Sequence, residues 1–107
     1  MITRYALFEG QVKPGLTKDF RRAVTERLVP VWTTFPGHSE VRVMFGEDRD
    51  EGAPEFPLIL AISYPDRAAM QLALDSDARI KSRDITGAIV AQFFDGRIHH
   101  HVTSACD

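Results

Sequence analysis

Gln92 to Thr103 reads QFFDGRIHHHVT, and the reading of this stretch decides how the remainder of the chain must fold. Phe93 and Phe94 end a helical pattern, Asp95-Gly96 reads as a turn, and Arg97 to Thr103 then alternates as a strand. Successive side chains of a strand point to opposite sides. Ile98, His100 and Val102 therefore share one face, and Arg97, His99, His101 and Thr103 the other. Apolar flanks and the following Ser104 make this a terminal strand rather than a purification tag, which would be longer and terminal.

Outward from it, Ala78 to Phe94 is expected to be a helix started by the Asp75-Ser76-Asp77 group. Its apolar stripe would be Ile80, Gly87 or Ala88, Ala91 and Phe94, flanked by Ile85 and Ile89. A short helix, Arg67 to Leu74, is capped by Asp66. Before it, FPLILAISY (Phe56 to Tyr64) is a strand apolar on both faces. Val41 to Gly46 is a further strand with Val41, Val43 and Phe45 inward. Glu47 to Pro54 between these two strands reads as a solvated hairpin loop. Its acids lack the spacing of a calcium loop.

The first helix is predicted over about Lys18 to Thr34, with Thr17 as N-cap and Phe20, Ala23, Val24, Leu28, Val31, Trp32 and Phe35 on its buried stripe. Pro30 inside it predicts a kink or a tightened last turn. Ile2 to Val12 opens the chain as a strand, with Tyr5, Leu7 and Glu9 on one face and Arg4, Ala6 and Phe8 on the other.

The order strand, helix, strand, strand, helix, strand is the split βαβ pattern of a ferredoxin-like α+β fold, βαββαβ, with a four-stranded antiparallel sheet and helices on one face. The first and third strands, which read as apolar on both faces, would lie at the sheet's centre. Residues 1–107 form a single domain, with no linker or repeat. Helices cover one face only, so a second copy of the chain is expected to cover the other, giving a homodimer.

Net charge −2 excludes a concentrated cationic surface of the kind nucleic acid needs. No apolar run reaches membrane-spanning length and no signal segment is evident, so no membrane role is expected. The single cysteine, Cys106, forms no internal disulfide, and a cytoplasmic location is the expectation.

The chain resembles the dimeric α/β-barrel superfamily, most nearly the EthD-like proteins, with antibiotic-biosynthesis monooxygenases as neighbours. The resemblance lies in Lys13-Pro14-Gly15-Leu16-Thr17 followed by Asp19-Phe20-Arg21-Arg22, in Pro36-Gly37, and in Asp75-Ser76-Asp77 through Phe93-Phe94-Asp95-Gly96-Arg97. One departure is Leu28, two residues before Pro30, where EthD-like proteins commonly carry a histidine. The resemblance implies a cavity between sheet and helices for a hydrophobic, often aromatic or polyketide-like molecule. It also implies either cofactor-independent oxygenation, cyclisation or isomerisation, or a non-catalytic accessory role.

His100, between Ile98 and Val102, is the candidate acid/base. Its plain alternative is a core histidine bonded to a backbone carbonyl. Tyr5 and Tyr64 are candidates to bind or polarise a substrate carbonyl, the alternative being packing with a bonded hydroxyl. Trp32, Ile98 and Val102 are candidate substrate contacts, though Trp32 also suits the core. Arg4 and Arg42 would be available to neutralise an acidic substrate. His99 and His101 form an H-x-H pair able to converge on zinc or iron only with a third ligand, such as His38 or an acid. A polar edge strand is the competing reading. The reading is a cofactor-free enzyme on a dimeric α/β barrel, with no cofactor or resident metal. A binding or accessory protein of a degradation or biosynthesis pathway is the alternative.

Overall fold

β1 (Ile2–Val12) and β3 (Leu58–Tyr64) lie side by side at the centre of a four-stranded antiparallel sheet, in a computed structural model that describes residues 1–106. β2 (Glu40–Phe45) flanks β3 and β4 (Phe94–Ser104) flanks β1, giving the order β2-β3-β1-β4. This is the ferredoxin-like arrangement expected from the element order.

The helices are α1 (Thr17–Ala23), a π-helical segment (Val24–Leu28), α2 (Val29–Trp32), α3 (Arg67–Leu74) and α4 (Asp77–Phe93). Phe20, Val24, Leu28 and Trp32 of the first helical run pack on Phe8, Leu58, Leu60 and Tyr64 of the sheet, all nearly solvent-free. Burial of each such side chain contributes about 1.5–3 kcal/mol. Pro30 shapes this run. It withholds the N–H that the Glu26 carbonyl would receive in an α-helix, and its ring crowds that carbonyl. The chain widens into the π segment just before it, and its last turn is tightened as expected, the Thr34 and Phe35 N–H groups donating to the Val31 and Trp32 carbonyls three residues back.

Capping follows the expected chemistry at two helices. Asp66 Oδ1 accepts from the Ala69 N–H at 2.9 Å, and Ser76 Oγ accepts from the Arg79 N–H at 3.4 Å. Thr17 is not a cap. The preceding residue, Leu16, takes the N-cap position, with no side-chain bond because a leucine side chain has no acceptor, and its N–H closes a turn onto the Lys13 carbonyl.

Two further expectations are corrected. Asp95-Gly96 is no turn: α4 passes straight into β4, and Gly96 sits in the ladder opposite Gly10. A Cβ on either glycine would strike backbone of the other strand, which is why a turn-like residue stands inside a strand. The buried stripe of α4 is Ser82, Ile89 and Phe93, while Ile80 is 59% exposed. The helix is therefore turned roughly half a revolution from the apolar stripe, at 3.6 residues per turn. The flank beside its buried stripe is polar, for a reason given by the site.

Register divides the sheet's faces. Arg4, Ala6 and Phe8 stand beside Ile62, Leu60 and Leu58, and beside Val102, His100 and Ile98, on the helix side. Tyr5, Leu7, Ile59, Met44 and Ala61 form the centre of the other face, which no helix covers. None of the described helices is long and apolar enough to cross a membrane.

Candidate functional site

A cavity of about 490 Å³ lies between the helix face of the sheet and helices α2 and α4. Its sheet side carries Arg4, Ala6 and Phe8 from β1, Leu60, Ile62 and Tyr64 from β3, and Ile98 and His100 from β4. Trp32 and Phe35 close one end of the first helical run over it. From α4 come Arg79, Arg83, Thr86 and Val90, spaced four, three and four residues apart and hence on one side of the helix, with Ser82 beside them. The volume suits a drug-sized or smaller organic molecule.

His100, Tyr64, Trp32 and Ile98 are thus brought together around one space. Tyr5 is not among them. It stands one residue from Arg4 and Ala6 on β1, so strand alternation sends it to the uncovered face, opposite Ala61 and His101. Val102 also lies outside the cavity. It is on the helix side, but at the far end of edge strand β4, where it is 40% exposed.

Electrostatics distinguish the groups. His100 is solvent-accessible at the rim, yet its pKa is lowered to about 4. Partial burial is the largest cause, followed by the positive charges of Arg4 and Arg79 and the neighbouring His99. Its imidazole is therefore neutral at pH 7 and free to accept a proton. Burial and the neighbouring guanidinium groups pull Arg4 and Arg79 below their ordinary values, though an arginine keeps its charge at neutral pH. Burial raises the Tyr64 phenol, with Arg4 and Arg79 opposing, so the hydroxyl keeps its proton. Trp32 Nε1 donates to Ser82 Oγ at 3.0 Å, which fixes the indole on the cavity wall.

The H-x-H pair is differently engaged. His99 Nε2 and Glu9 Oε1 are 2.7 Å apart across β4 and β1, and Arg97 reaches the same carboxylate at 3.7 Å. His38 Nδ1 pairs with the Phe35 carbonyl instead. Among the described residues no three His, Cys, Asp or Glu side chains are grouped to hold an ion, so His99 and His101 find no third ligand among them.

Arg79, Ser82, Arg83 and Thr86 were not singled out from the sequence. A signal was present: Arg79 and Arg83 are like charges one turn apart, an arrangement that weakens a helix unless something else uses it.

No family model and no curated protein matches the chain. Solved structures do. An EthD (ethyl tert-butyl ether D) family protein from Bacillus halodurans is 19% identical, with a TM-score of 0.74 over 99% of both chains. SnoaB, a cofactor-independent oxygenase from Streptomyces nogalater, is 15% identical with a TM-score of 0.65 over 99% of this chain and 93% of its own. A dimeric ferredoxin-like protein of unknown function from Jannaschia sp. CCS1 is 16% identical, with a TM-score of 0.66 over 97% of this chain and 98% of its own. At these identities the likeness establishes the shared fold.

Proposed function

We propose that this chain binds a hydrophobic, aromatic or polyketide-type small molecule in the cavity beside His100 and removes a proton from it without a cofactor. Proton abstraction is the step common to cofactor-free oxygenation, cyclisation and isomerisation. The observation that carries this reading is a neutral imidazole placed with two half-buried guanidinium groups around an otherwise largely apolar hollow. The fold shared with a protein described as a cofactor-independent oxygenase supports it.

In this reading the proton passes from an acidic C–H or O–H of the substrate to a ring nitrogen of His100. The electron pair left behind becomes an enolate or phenolate. Arg4 and Arg79 stabilise that anion, and the Tyr64 hydroxyl donates a hydrogen bond to the oxygen on which the charge settles. An imidazole with a pKa near 4 is a weak base when the cavity is empty. The negative charge developing on the substrate offsets the arginines, so the base strengthens as the reaction proceeds. That is differential stabilisation of the transition state.

A second copy of the chain covers the sheet face bearing Leu7, Ile59 and Met44, as the dimeric ferredoxin-like relatives suggest.

The test uses 2-tetralone, an aromatic ketone with an acidic C–H, in deuterated buffer. Deuterium incorporation followed by NMR should exceed the buffer rate with the wild-type protein and fall to it in His100→Ala. Accessory binding is the competing reading, favoured by the exposure of His100 at the rim. It predicts that ligands bind equally to both proteins and that neither accelerates exchange.

A further inference from the structure

We infer that the cavity is built for a hydrophobic acid, a carboxylate carried at one end of an aromatic or otherwise apolar body. This inference rests on the binding function proposed above and names the substrate class that function would act on.

Three guanidinium groups line the cavity: Arg4 from β1, and Arg79 and Arg83 from successive turns of α4. Among the described residues no acidic side chain lines it. Among the described residues, none of the three forms an ion pair. The arginines that do form ion pairs lie on the surface, Arg21 with Glu47, Arg42 with Glu40, Arg49 with Glu55 and Arg97 with Glu9. Removing a cation from water without a partner is costly, and Arg4 and Arg79 are both half-buried. A ligand anion supplies the missing charge.

The cavity is also polarised along its length. β1 runs from Arg4 through Ala6 to Phe8, and the lining of α4 runs from Arg79 and Arg83 through Thr86 to Val90. Arg79 is close enough to Arg4 to lower its pKa, as Arg83 is to Arg79, and at the other end Phe8 meets Phe94 at 6.0 Å between ring centres. Charge is therefore gathered at one end of both walls, and apolar surface at the other. A molecule charged throughout would waste the apolar end, and a neutral one would leave the arginines unpaired. A carboxylate fits the planar donor fork of a guanidinium through two parallel hydrogen bonds. Ser82 adds a donor, since its oxygen accepts from Trp32 while its own O–H stays available.

The experiment is isothermal titration calorimetry at pH 7 and low salt with 2-naphthoate and anthracene-2-carboxylate, each against its neutral carboxamide. At least one carboxylate is expected to bind tenfold or more tightly than its amide. The double variant Arg79→Gln/Arg83→Gln should lose at least tenfold for that acid and stay within twofold for the amide. Arg79→Lys/Arg83→Lys should recover part of the loss. Circular dichroism melts establish that the variants fold, and Arg4→Gln serves as the independent variant if they do not. Equal binding of acid and amide, or acid binding indifferent to both sets of arginine changes, overturns the inference and leaves the cavity a neutral-ligand site. Absence of binding by all four compounds to the folded wild type overturns the inference and the binding function together.

Discussion

Trp32 Nε1 donates to Ser82 Oγ at 3.0 Å, and both residues are buried between the end of the first helical run and the middle of α4. This bond fixes the spacing of the two elements that roof the cavity. It also explains why a serine occupies the buried stripe of a helix whose sequence offers isoleucines for that place.

Loss of that bond should be measurable as stability. Ser82→Ala leaves a buried indole N–H without an acceptor, which costs about 1–3 kcal/mol. Urea denaturation should show that loss. Adding Trp32→Phe to Ser82→Ala should cost less than the sum of the two single changes, because the orphaned donor is then gone. Strict additivity would mean that the bond contributes nothing.

The fold was legible because each apolar strand carried period-2 alternation, and because two strands, Ile2 to Val12 and Phe56 to Tyr64, were apolar on both sides and so had to be central. The site was only half legible. His100 and Tyr64 stood out as polar groups on apolar strand faces. Arg79 and Ser82 did not, since apolar residues at helical spacing from Ile80 point to the opposite side of α4 from the one that is buried. Tyr5 was misplaced because a strand position one residue from Arg4 cannot share its face. The glycine pair at positions 10 and 96 was hidden for another reason: an Asp-Gly step reads locally as a turn, and only the cross-strand register explains it.

That pair makes a second prediction. Gly10 and Gly96 have φ values of 147° and 156°, and a Cβ on Gly10 would run into the Asp95 carbonyl. Gly10→Ala should destabilise by about 2 kcal/mol or more, combining backbone strain of order 1–3 kcal/mol with displaced strands. Gly15→Ala is the comparison, since a Cβ there meets nothing and only the strain of φ 78° remains. Equal melting temperatures for the two variants would refute the close-approach argument.

His100 should titrate near 4 by NMR in the free protein, well below an ordinary histidine. The groups around it are Arg4 on β1, Arg79 and Arg83 on α4, Tyr64 on β3 and His99 beside it on β4. Arg4→Gln or Arg79→Gln removes a positive charge and should raise the value. A bound carboxylate should raise it further. The stability consequence has a definite sign. Between about pH 6.5 and pH 4 the unfolded chain binds a proton that the folded His100 refuses, so this residue makes the protein less stable as pH falls through that window. In His100→Gln the decline with acid should be shallower. A His100 signal titrating at 6.5 in the wild type would remove the electrostatic basis of the proposed chemistry.

The uncovered sheet face carries the last prediction. Leu7, Ile59 and Met44 are cross-strand neighbours there, with Tyr5 and Ala61 continuing the patch. Around it stand polar and charged groups, Arg42 with Glu40 on one edge and the Glu9, Arg97 and His99 group on the other. An apolar centre inside a polar rim is the anatomy of a protein interface. Sedimentation at micromolar concentration should give twice the chain mass for the wild type. Ile59→Glu places a carboxylate at the centre of the patch, and two copies related by a twofold axis would bring like charges together, so this variant should sediment as a single chain. Lys81→Glu, on an exposed position of α4, should leave the dimer intact. A wild-type protein that stays monomeric, or an Ile59→Glu protein that stays dimeric, would place the interface elsewhere or deny it altogether.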